Sequence, residues 1–382
     1  MTEPVAPPAD RPRTLEEAKA WMIDRTGRQN HPMNNLSLED TAPVVEALTG
    51  LDGESWVAAW RPAGEAAWQL AVTAEEAGDL VEARRQYLRA HGYFFLGRFP
   101  CPNHPAKLEC AQREREAYLK AGALFDAPVQ RITVPFGGQE GEGDEVVFLY
   151  RRPAGVERPP VIVMWGGVDA WKEQMTAACN LALAKGFATI ALDGPGTGES
   201  PLRGVPGAER QFLPVFDWLD RQDDLAPGKP GCLGRSFGGY WATRLAYLHQ
   251  DRIAAAVNWG GGAHYMFQRD WILRSRHPES YLMELVETRM RMLGAATEEE
   301  YAQFFERLSL LNEGLLDGPN APLLLVNGRE DQQCPVADID LLLDHGQPKA
   351  VRMFPGGHMG PTPQTLPTII DWLCATVREA QP

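Results

Sequence analysis

One serine has neighbours that point to nucleophilic chemistry. Ser236 lies between Gly234 and Gly238 in the stretch GCLGRSFGGYW, and this G-x-S-x-G pattern separates a strand-like run from a helix-like run. A nucleophile on a sharp strand-to-helix turn needs small neighbours, because the backbone is crowded there. The chain has only seven serines, so a chance match to the pattern is rare. We therefore predict that Ser236 is a nucleophile, and not part of a glycine-rich turn that packs a helix on a sheet.

A base and an acid for this serine follow later in the chain. A serine hydroxyl is a weak nucleophile and needs a general base, which a carboxylate must orient. His358, in FPGGHMGP, follows the last strand-like run, and Asp331, in VNGREDQQCP, follows the run before it. The chain order Ser236, Asp331, His358 is typical of α/β-hydrolase triads. Glu330 is the adjacent alternative for the acid, and the sequence favours Asp331.

Backbone N–H groups are the expected partners of the oxyanion. The charge that develops on an attacked carbonyl oxygen needs preorganised donors. We expect one donor at Phe237, directly after the nucleophile, and the other at Gly167 or Val168, in the loop after VIVMWGG. Glycine lets the backbone of that loop approach the substrate closely. These residues predict acyl transfer through a tetrahedral intermediate.

The elements that must position these residues begin at about residue 128. Continuous apolar runs alternate there with helical segments, which predicts a mostly parallel sheet with helices on both faces, the α/β class. Active sites of such sheets lie at the carboxyl ends of the strands, where all these candidates fall. We predict an α/β-hydrolase catalytic domain over residues 128–382, with a helical insertion at about 265–317.

The preceding residues have a helical period. Residues 14–127 predict an N-terminal helical domain, and residues 1–13, which are polar and rich in proline, predict a flexible tail. The formal charge of −14 argues against a nucleic-acid partner, because phosphate binding requires a basic face. No apolar run approaches the roughly 18 residues that span a bilayer, and the start lacks an apolar signal core. We expect a cytoplasmic protein that does not bind membranes.

No metal or cofactor is expected. The six cysteines are scattered, and we expect reduced, mostly buried thiols. Cys101, His104 and Cys110 lie close together, but their spacing matches no usual zinc finger. The loop DGPGTGES, residues 193–200, lacks the lysine of a phosphate-binding loop and the full dinucleotide fingerprint. We expect this loop to support the turn that carries Ser236.

Several motifs together resemble a known group of enzymes. VIVMWGGVDAWKEQ, LDGPGTGES, GRSFGGYWATRLA, VNGREDQQCP and GGHMG are similar to the α/β-hydrolases grouped with 2,6-dihydroxypseudooxynicotine hydrolase, the FrsA-type esterases and the fungal polyketide-shortening hydrolases. The resemblance covers roughly residues 60–382, and the loop 166–173 narrows it to this group. It implies a triad at Ser236, Asp331 and His358, N-terminal helices that form part of a lid, and a homodimer.

The resemblance also implies a substrate class. Members of the group cleave carbon–carbon bonds next to ketones in aryl or polyketide substrates, and others are esterases. An acidic residue that assists the nicotine-pathway enzyme has no match after VNWGGGAH, where His264 and Tyr265 stand instead. Glu173 either holds the oxyanion loop or begins a helix in solvent.

Aromatic side chains in the loops after the strands predict an apolar pocket for a bulky, aromatic substrate. Each of them is individually also consistent with packing. They are Trp165, Trp171, Trp259, Tyr265 and Phe267.

Three functions remain open. The first is hydrolysis of a carbon–carbon bond in an aryl ketone or polyketide-like diketone, and the second is hydrolysis of bulky hydrophobic esters or lactones. The third is a hydrolase fold reused for binding or cyclisation in a biosynthetic pathway. An intact triad argues against the third function and serves the first two equally.

Overall fold

The computed structural model describes residues 11–381. The first ten residues of the predicted tail lie outside this range. The chain divides into two compact units, one helical and one built around a sheet. The helical unit contains residues 11–129 and 281–288, and the sheet unit contains residues 130–280 and 289–381.

The helices of the helical unit begin at capping side chains. Thr14, Ser37, Asp52 and Asp79 each accept a hydrogen bond from the backbone N–H three residues further on, which satisfies a donor that the first turn leaves without a partner. The helices of residues 11–129 are α1 (Leu15–Gly27), α2 (Leu38–Ala47), α3 (Gly53–Glu76), α4 (Leu80–Arg98) and α5 (Pro105–Ala123).

Small side chains form much of the core between these helices. Ala71, Tyr87 and Ala121 are fully buried in one cluster, so that α3, α4 and α5 pack on one another. Alanine fits this role because it has high helix propensity and lets neighbouring helices approach closely. None of the helices in residues 11–381 combines the length and the apolarity needed to cross a bilayer.

The sheet unit contains a single eight-stranded sheet among its described residues, in the order β1-β2-β4-β3-β5-β6-β7-β8. Its strands are β1 (Gln130–Pro135), β2 (Glu145–Arg151), β3 (Val161–Trp165), β4 (Ala188–Leu192), β5 (Gly231–Arg235), β6 (Ala255–Trp259), β7 (Leu323–Gly328) and β8 (Lys349–Phe354). The helices after residue 129 are α6 (Thr176–Ala184), α7 (Leu213–Leu219), α8 (Gly238–Leu248), α9 (Arg269–Arg274), α10 (Leu285–Leu293), α11 (Glu298–Glu306), α12 (Ala337–Asp344) and α13 (Thr365–Glu379).

The predicted α/β class is confirmed. Strands β1 and β2 pair antiparallel, β2 also pairs antiparallel with β4, and all remaining pairs are parallel. The central strands β3 and β4 are buried along their whole length, which explains their continuous apolar sequences. Helices α8 and α13 both pack on β5 and β6. Because β3 and β5 to β8 are parallel, the loops that follow them meet at one edge of the sheet.

Candidate active site

Ser236 stands on a strained turn between β5 and α8. Its φ is +55°, a left-handed conformation that non-glycine residues rarely adopt. A Cβ on Gly234 would lie 2.0 Å from the carbonyl oxygen of Gly238, and one on Gly238 would lie 2.3 Å from that of Gly166. Larger residues at either position would displace this backbone, so the glycines are required by close approach. This geometry is that of a nucleophile elbow.

A chain of hydrogen bonds joins the three predicted catalytic side chains. Ser236 Oγ lies 2.7 Å from His358 Nε2, and His358 Nδ1 lies 2.8 Å from Asp331 Oδ2. A carboxylate at Nδ1 favours the tautomer with the proton on that nitrogen, which leaves Nε2 free to accept from the serine hydroxyl. Glu330, the alternative acid, is exposed, and its side chain does not occupy this position.

The carboxylate of Asp331 is held by further hydrogen bonds. Its Oδ1 accepts from the backbone N–H groups of Gln333 and Cys334, at 2.7 and 3.1 Å. Its Oδ2 accepts from Asn327 Nδ2 at 2.8 Å as well as from His358. Four donors therefore orient a carboxylate that is only 3% exposed.

Asn327 links the acid loop to the histidine loop, and no sequence motif had singled it out. While Nδ2 donates to Asp331, Oδ1 accepts from the backbone N–H groups of Gly328 and Met359, at 2.8 and 2.9 Å. Met359 follows His358 directly, so one amide side chain sets the spacing of both loops. The available signal was a polar residue at the end of the apolar strand LLLVN.

The predicted oxyanion donors flank the nucleophile. A Cβ on Gly167 would lie 2.7 Å from Ser236 Cβ and 3.0 Å from its Oγ, so the loop after β3 touches the serine. The backbone N–H groups of Phe237, Gly167 and Val168 donate to no acceptor within residues 11–381. The arrangement can therefore offer N–H donors to a charged oxygen beside Ser236.

A buried ion cluster anchors the loop that carries Gly167 and Val168. Lys172 Nζ lies 2.7 Å from Asp193, 2.8 Å from Glu199 and 3.2 Å from Glu173. Asp193 also accepts from the backbone N–H groups of Lys172 and Glu199, at 2.9 and 2.7 Å. The loop 193–200 thus binds directly to the loop that carries the predicted oxyanion donors. Glu173 is 3% exposed, so its predicted alternative as a solvated helix start is wrong.

Two opposing effects act on the pKa of Lys172. Burial disfavours the ammonium of Lys172, but the neighbouring carboxylates of Asp193, Glu173 and Glu199 outweigh that effect and raise its pKa. A raised pKa keeps the ammonium form of Lys172 at neutral pH.

The aromatic residues fall into two groups. Trp165 and Phe267 are fully buried and Trp171 is 3% exposed, which favours the packing role that the sequence left open for each ring. Trp165 supports the site instead, because its Nε1 donates to the carbonyl of Gly238 at 2.8 Å. Aromatic rings near a strand end can serve the core as readily as the pocket, and the sequence pattern is the same for both.

The other two predicted pocket rings, Trp259 and Tyr265, are accessible, and so is the neighbouring His264. Trp259 is half-buried, and its Nε1 donates to the carbonyl of Met359 at 2.8 Å. His264 Nδ1 lies 2.7 Å from Ser309 Oγ, and Tyr265 is exposed. The buried carboxylate of Asp338 accepts from the backbone N–H groups of both His264 and Tyr265, at 2.8 and 2.7 Å, and so holds their loop in place.

One group of potential metal ligands comes together within residues 11–381. Ligand atoms of Asp331, Cys334 and His358 lie within 4.8 Å of one another. However, both nitrogens of His358 are engaged by Ser236 and Asp331. Burial, with the charge of Asp331, raises the pKa of the Cys334 thiol well above its usual value, which disfavours the thiolate that binds metals. These donors fit acyl transfer better than metal binding.

Comparison with solved structures defines the class of fold. The crystal structure of 2,6-dihydroxy-pseudo-oxynicotine hydrolase superimposes with a TM-score of 0.75 and 22% identity, covering 96% of this chain and 97% of that one. An esterase of the archaeon Pyrobaculum calidifontis gives a TM-score of 0.51 and 17% identity, covering 71% of this chain and 94% of that one. The chain has the α/β-hydrolase fold.

Sequence comparison then gives the family. The model of the FrsA-like esterase family matches residues 36–378, and the chain belongs to that family. Hydrolase pyiE of Pyricularia grisea is 33% identical over 251 residues, which are 57% of this chain and 53% of that protein. The 2,6-dihydropseudooxynicotine hydrolase of Paenarthrobacter nicotinovorans is 33% identical over 151 residues, 39% of this chain and 40% of that one. The matches thus span about half or less of these relatives' length. They confirm the resemblance expected from the motifs.

Proposed function

We propose that this protein is a serine hydrolase that cleaves a carbon–carbon bond next to a ketone in an aromatic or polyketide-like substrate. The observation that carries the proposal is the continuous chain of hydrogen bonds from Ser236 through His358 to Asp331, on a turn with positive φ. The similarity to a hydrolase of 2,6-dihydropseudooxynicotine supports a ketone substrate. The predicted lid and homodimer are kept as parts of this proposal.

Acylation begins with attack on the ketone. Ser236 Oγ bonds to the carbonyl carbon while His358 Nε2 takes its proton, and Asp331 stabilises the imidazolium that results. The carbonyl oxygen becomes an oxyanion and accepts from the N–H groups of Phe237 and of Gly167 or Val168. Because these donors are backbone groups in anchored loops, they need little reorganisation during the reaction.

Carbon–carbon cleavage completes acylation. As the carbonyl re-forms, the bond to the neighbouring carbon breaks, and its electron pair delocalises as an enolate or phenolate. His358 returns its proton to that carbon, which leaves as a neutral product. Water then attacks the acyl-enzyme with His358 as base, and the products are a carboxylic acid and free Ser236. One water is consumed in each cycle.

Hydrolysis of a bulky hydrophobic ester or lactone is the second candidate. The family match to FrsA-like esterases favours it. The same groups would act, but the leaving group would be an alkoxide that His358 protonates on oxygen. Such a leaving group is easier to expel than a carbanion, so esters also serve as test substrates.

The nucleophile is tested by covalent labelling. A fluorophosphonate probe should label the purified chain at Ser236, located by mass spectrometry, and should not label Ser236→Ala. Ser37→Ala, which changes a helix cap in the helical unit, is the matched control and should be labelled like the wild type. Failure of the folded wild type to react, or labelling at another serine, would contradict the proposed nucleophile.

The leaving group is tested with matched substrates. We expect hydrolysis of an aryl 1,3-diketone such as 1-phenylbutane-1,3-dione, followed through loss of its ultraviolet absorbance, and its abolition in Ser236→Ala. Phenyl butyrate, an ester of similar size, tests the second candidate. Turnover of the ester without turnover of the diketone would exclude the carbon–carbon proposal and leave the esterase.

A further inference from the structure

Arg235 occupies an unusual place beside the nucleophile. It is the last residue of β5, directly before Ser236, and in the sheet register it lies opposite Trp259 of β6. Its guanidinium carbon is 6.0 Å from the centre of the Trp259 ring. The side chain is half-buried, and within residues 11–381 it forms no hydrogen bond and no ion pair.

A second arginine of the same unit, which is more deeply buried, has ion-pair partners. Arg244 of α8 is 2% exposed and binds the carboxylates of both Glu209 and Glu313. This is the usual arrangement, because a charge removed from water needs a partner of opposite charge. Among the described residues, the fold therefore supplies acceptors for Arg244 and none for the five N–H donors of Arg235.

The surroundings of Arg235 belong to the reaction site. Trp259, below the guanidinium, donates from Nε1 to the carbonyl of Met359, the residue after His358. The charge of Asp169, the residue after Val168, acts on Arg235, but the two side chains form no ion pair. Burial lowers the pKa of Arg235, and the charge of Asp169 raises it only in part. Arg235 is thus linked to the site through Ser236, the next residue, and through the ring of Trp259, which binds the histidine loop.

We propose that Arg235 binds an anionic oxygen of the substrate, close to the bond that Ser236 breaks. Guanidinium matches a carboxylate, phenolate or enolate oxygen through paired N–H donors, and such charge-assisted hydrogen bonds are the strong ones. This inference rests on the proposed function and adds a substrate class to it. The oxygen is either an anion that the substrate already carries or the enolate formed when the carbon–carbon bond breaks.

Binding is measured first, because it does not depend on turnover. In the Ser236→Ala background, calorimetric titration compares 4-nitrophenolate at pH 8.5 with 4-nitroanisole, its neutral counterpart. We expect Arg235→Met to weaken phenolate binding about 10- to 100-fold, the range for a hydrogen bond to a charged group, and anisole binding less than threefold. Arg235→Lys should restore part of the phenolate affinity, since it keeps the charge but loses the planar fork.

The matched control is a different arginine of the same unit. Arg252 lies before β6, at the opposite edge of the sheet, and pairs with Asp217 and Asp220 at 2.9 Å. Arg252→Met should leave both affinities unchanged. If Arg235→Met weakens the phenolate and the anisole equally, or neither, the side chain only packs and the proposal is overturned.

Kinetics then distinguish the two sources of the anion. If the substrate carries the anion, Arg235→Met raises KM for mono-4-nitrophenyl adipate and not for 4-nitrophenyl hexanoate. If the anion forms during cleavage, the variant lowers kcat on 1-phenylbutane-1,3-dione and leaves KM unchanged. Fluorophosphonate labelling of Ser236 separates the two proposals. Normal labelling of the wild type, together with a phenolate affinity that Arg235→Met leaves unchanged, refutes the role of Arg235 alone, whereas an unreactive wild type refutes the hydrolase.

Discussion

Each of the two units of this protein contains a buried cation, and the two cations have different surroundings. In the helical unit, Arg98 of α4 and Glu114 of α5 are fully buried and form a two-point pair, with contacts of 2.7 and 3.3 Å. In the sheet unit, Lys172 faces the carboxylates of Asp193, Glu173 and Glu199. The first cluster joins two helices, and the second joins two loops at the catalytic edge.

The two clusters differ in what they do: the pair in the helical unit packs between helices, whereas the cluster around Lys172 positions loops. A pair of one cation and one anion between helices can be replaced by apolar residues of similar volume, because packing alone can hold the helices together. The loops around Lys172 have no such periodic apolar face. Asp193 binds backbone N–H groups of both loops, so their separation depends on specific polar contacts. We therefore expect mutations at the catalytic edge to change turnover and those in the helical unit to change stability.

The largest expected effect is at the acid. Asp331→Asn keeps the size of the side chain but removes the charge that stabilises the imidazolium of His358, so kcat should fall by about ten-thousand-fold. Glu330→Gln makes the same chemical change one residue earlier, at an exposed side chain, and should alter kcat less than threefold. Steady-state kinetics on a nitrophenyl ester measure both variants. Equal losses in the two would mean that Asp331 has no special role.

Substitution of Lys172 should lower both the stability of the protein and its turnover. Lys172→Met leaves buried carboxylates without their ammonium partner, and the free energy of unfolding should fall by about 3–5 kcal/mol. Misplacement of the oxyanion loop should also lower kcat, by about 100-fold. Denaturant unfolding gives the stability, and fluorophosphonate titration of Ser236 gives the concentration of folded sites. A normal kcat per folded site would disprove the positioning role of the cluster.

The corresponding change in the helical unit should affect stability alone. Arg98→Met leaves Glu114 buried without the guanidinium and should also lower the free energy of unfolding by about 3–5 kcal/mol. The value of kcat per labelled Ser236 should stay within threefold of wild type. In the double variant Arg98→Met/Glu114→Met most of the lost stability should return, because the buried charge is gone. A large loss of kcat in Arg98→Met would contradict the expected difference between Arg98 and Lys172.

The smallest expected effect depends on pH. Burial raises the pKa of Asp40, but hydrogen bonds from Arg89 and Ser37 outweigh it, and the net pKa is lowered. A lowered carboxyl pKa adds stability above the unfolded value of roughly 4, and this stability is lost as pH falls through the folded value. Arg89→Met should therefore cost about 1 kcal/mol or less at pH 7 and progressively less below pH 4.

The measurement for Arg89 is a series of denaturant midpoints for wild type and variant between pH 7 and 3. Arg84→Met is the control, because Arg84 pairs with the fully exposed Asp126 at 3.4 Å. A difference between wild type and Arg89→Met that persists unchanged at pH 3 would rule out the contribution of the Asp40 charge.

Residues with strong local signals could be singled out from the sequence, and residues whose partners come from other loops could not. Ser236 carried the pattern of flanking glycines, and Asp331 and His358 each followed an apolar strand. For Trp165 the sequence had no comparable signal, because an aromatic ring at the end of a strand can pack in the core or line a pocket. The structure places this ring in the core. Arg235 lies within the nucleophile motif, but the sequence could not show that its guanidinium forms no hydrogen bond or ion pair within residues 11–381.

The amino-acid sequence by itself determined the alternation of strands and helices, the sharp turn at Ser236 and the chain order of the three predicted catalytic residues, because each of these signals lies in a short local stretch of the chain. Only the tertiary structure decided that Asp331 and not Glu330 reaches His358, since the two differ in which way one loop directs them. It also decided the partners of Asn327 and Lys172, because separate loops meet only when the parallel strands align their carboxyl ends.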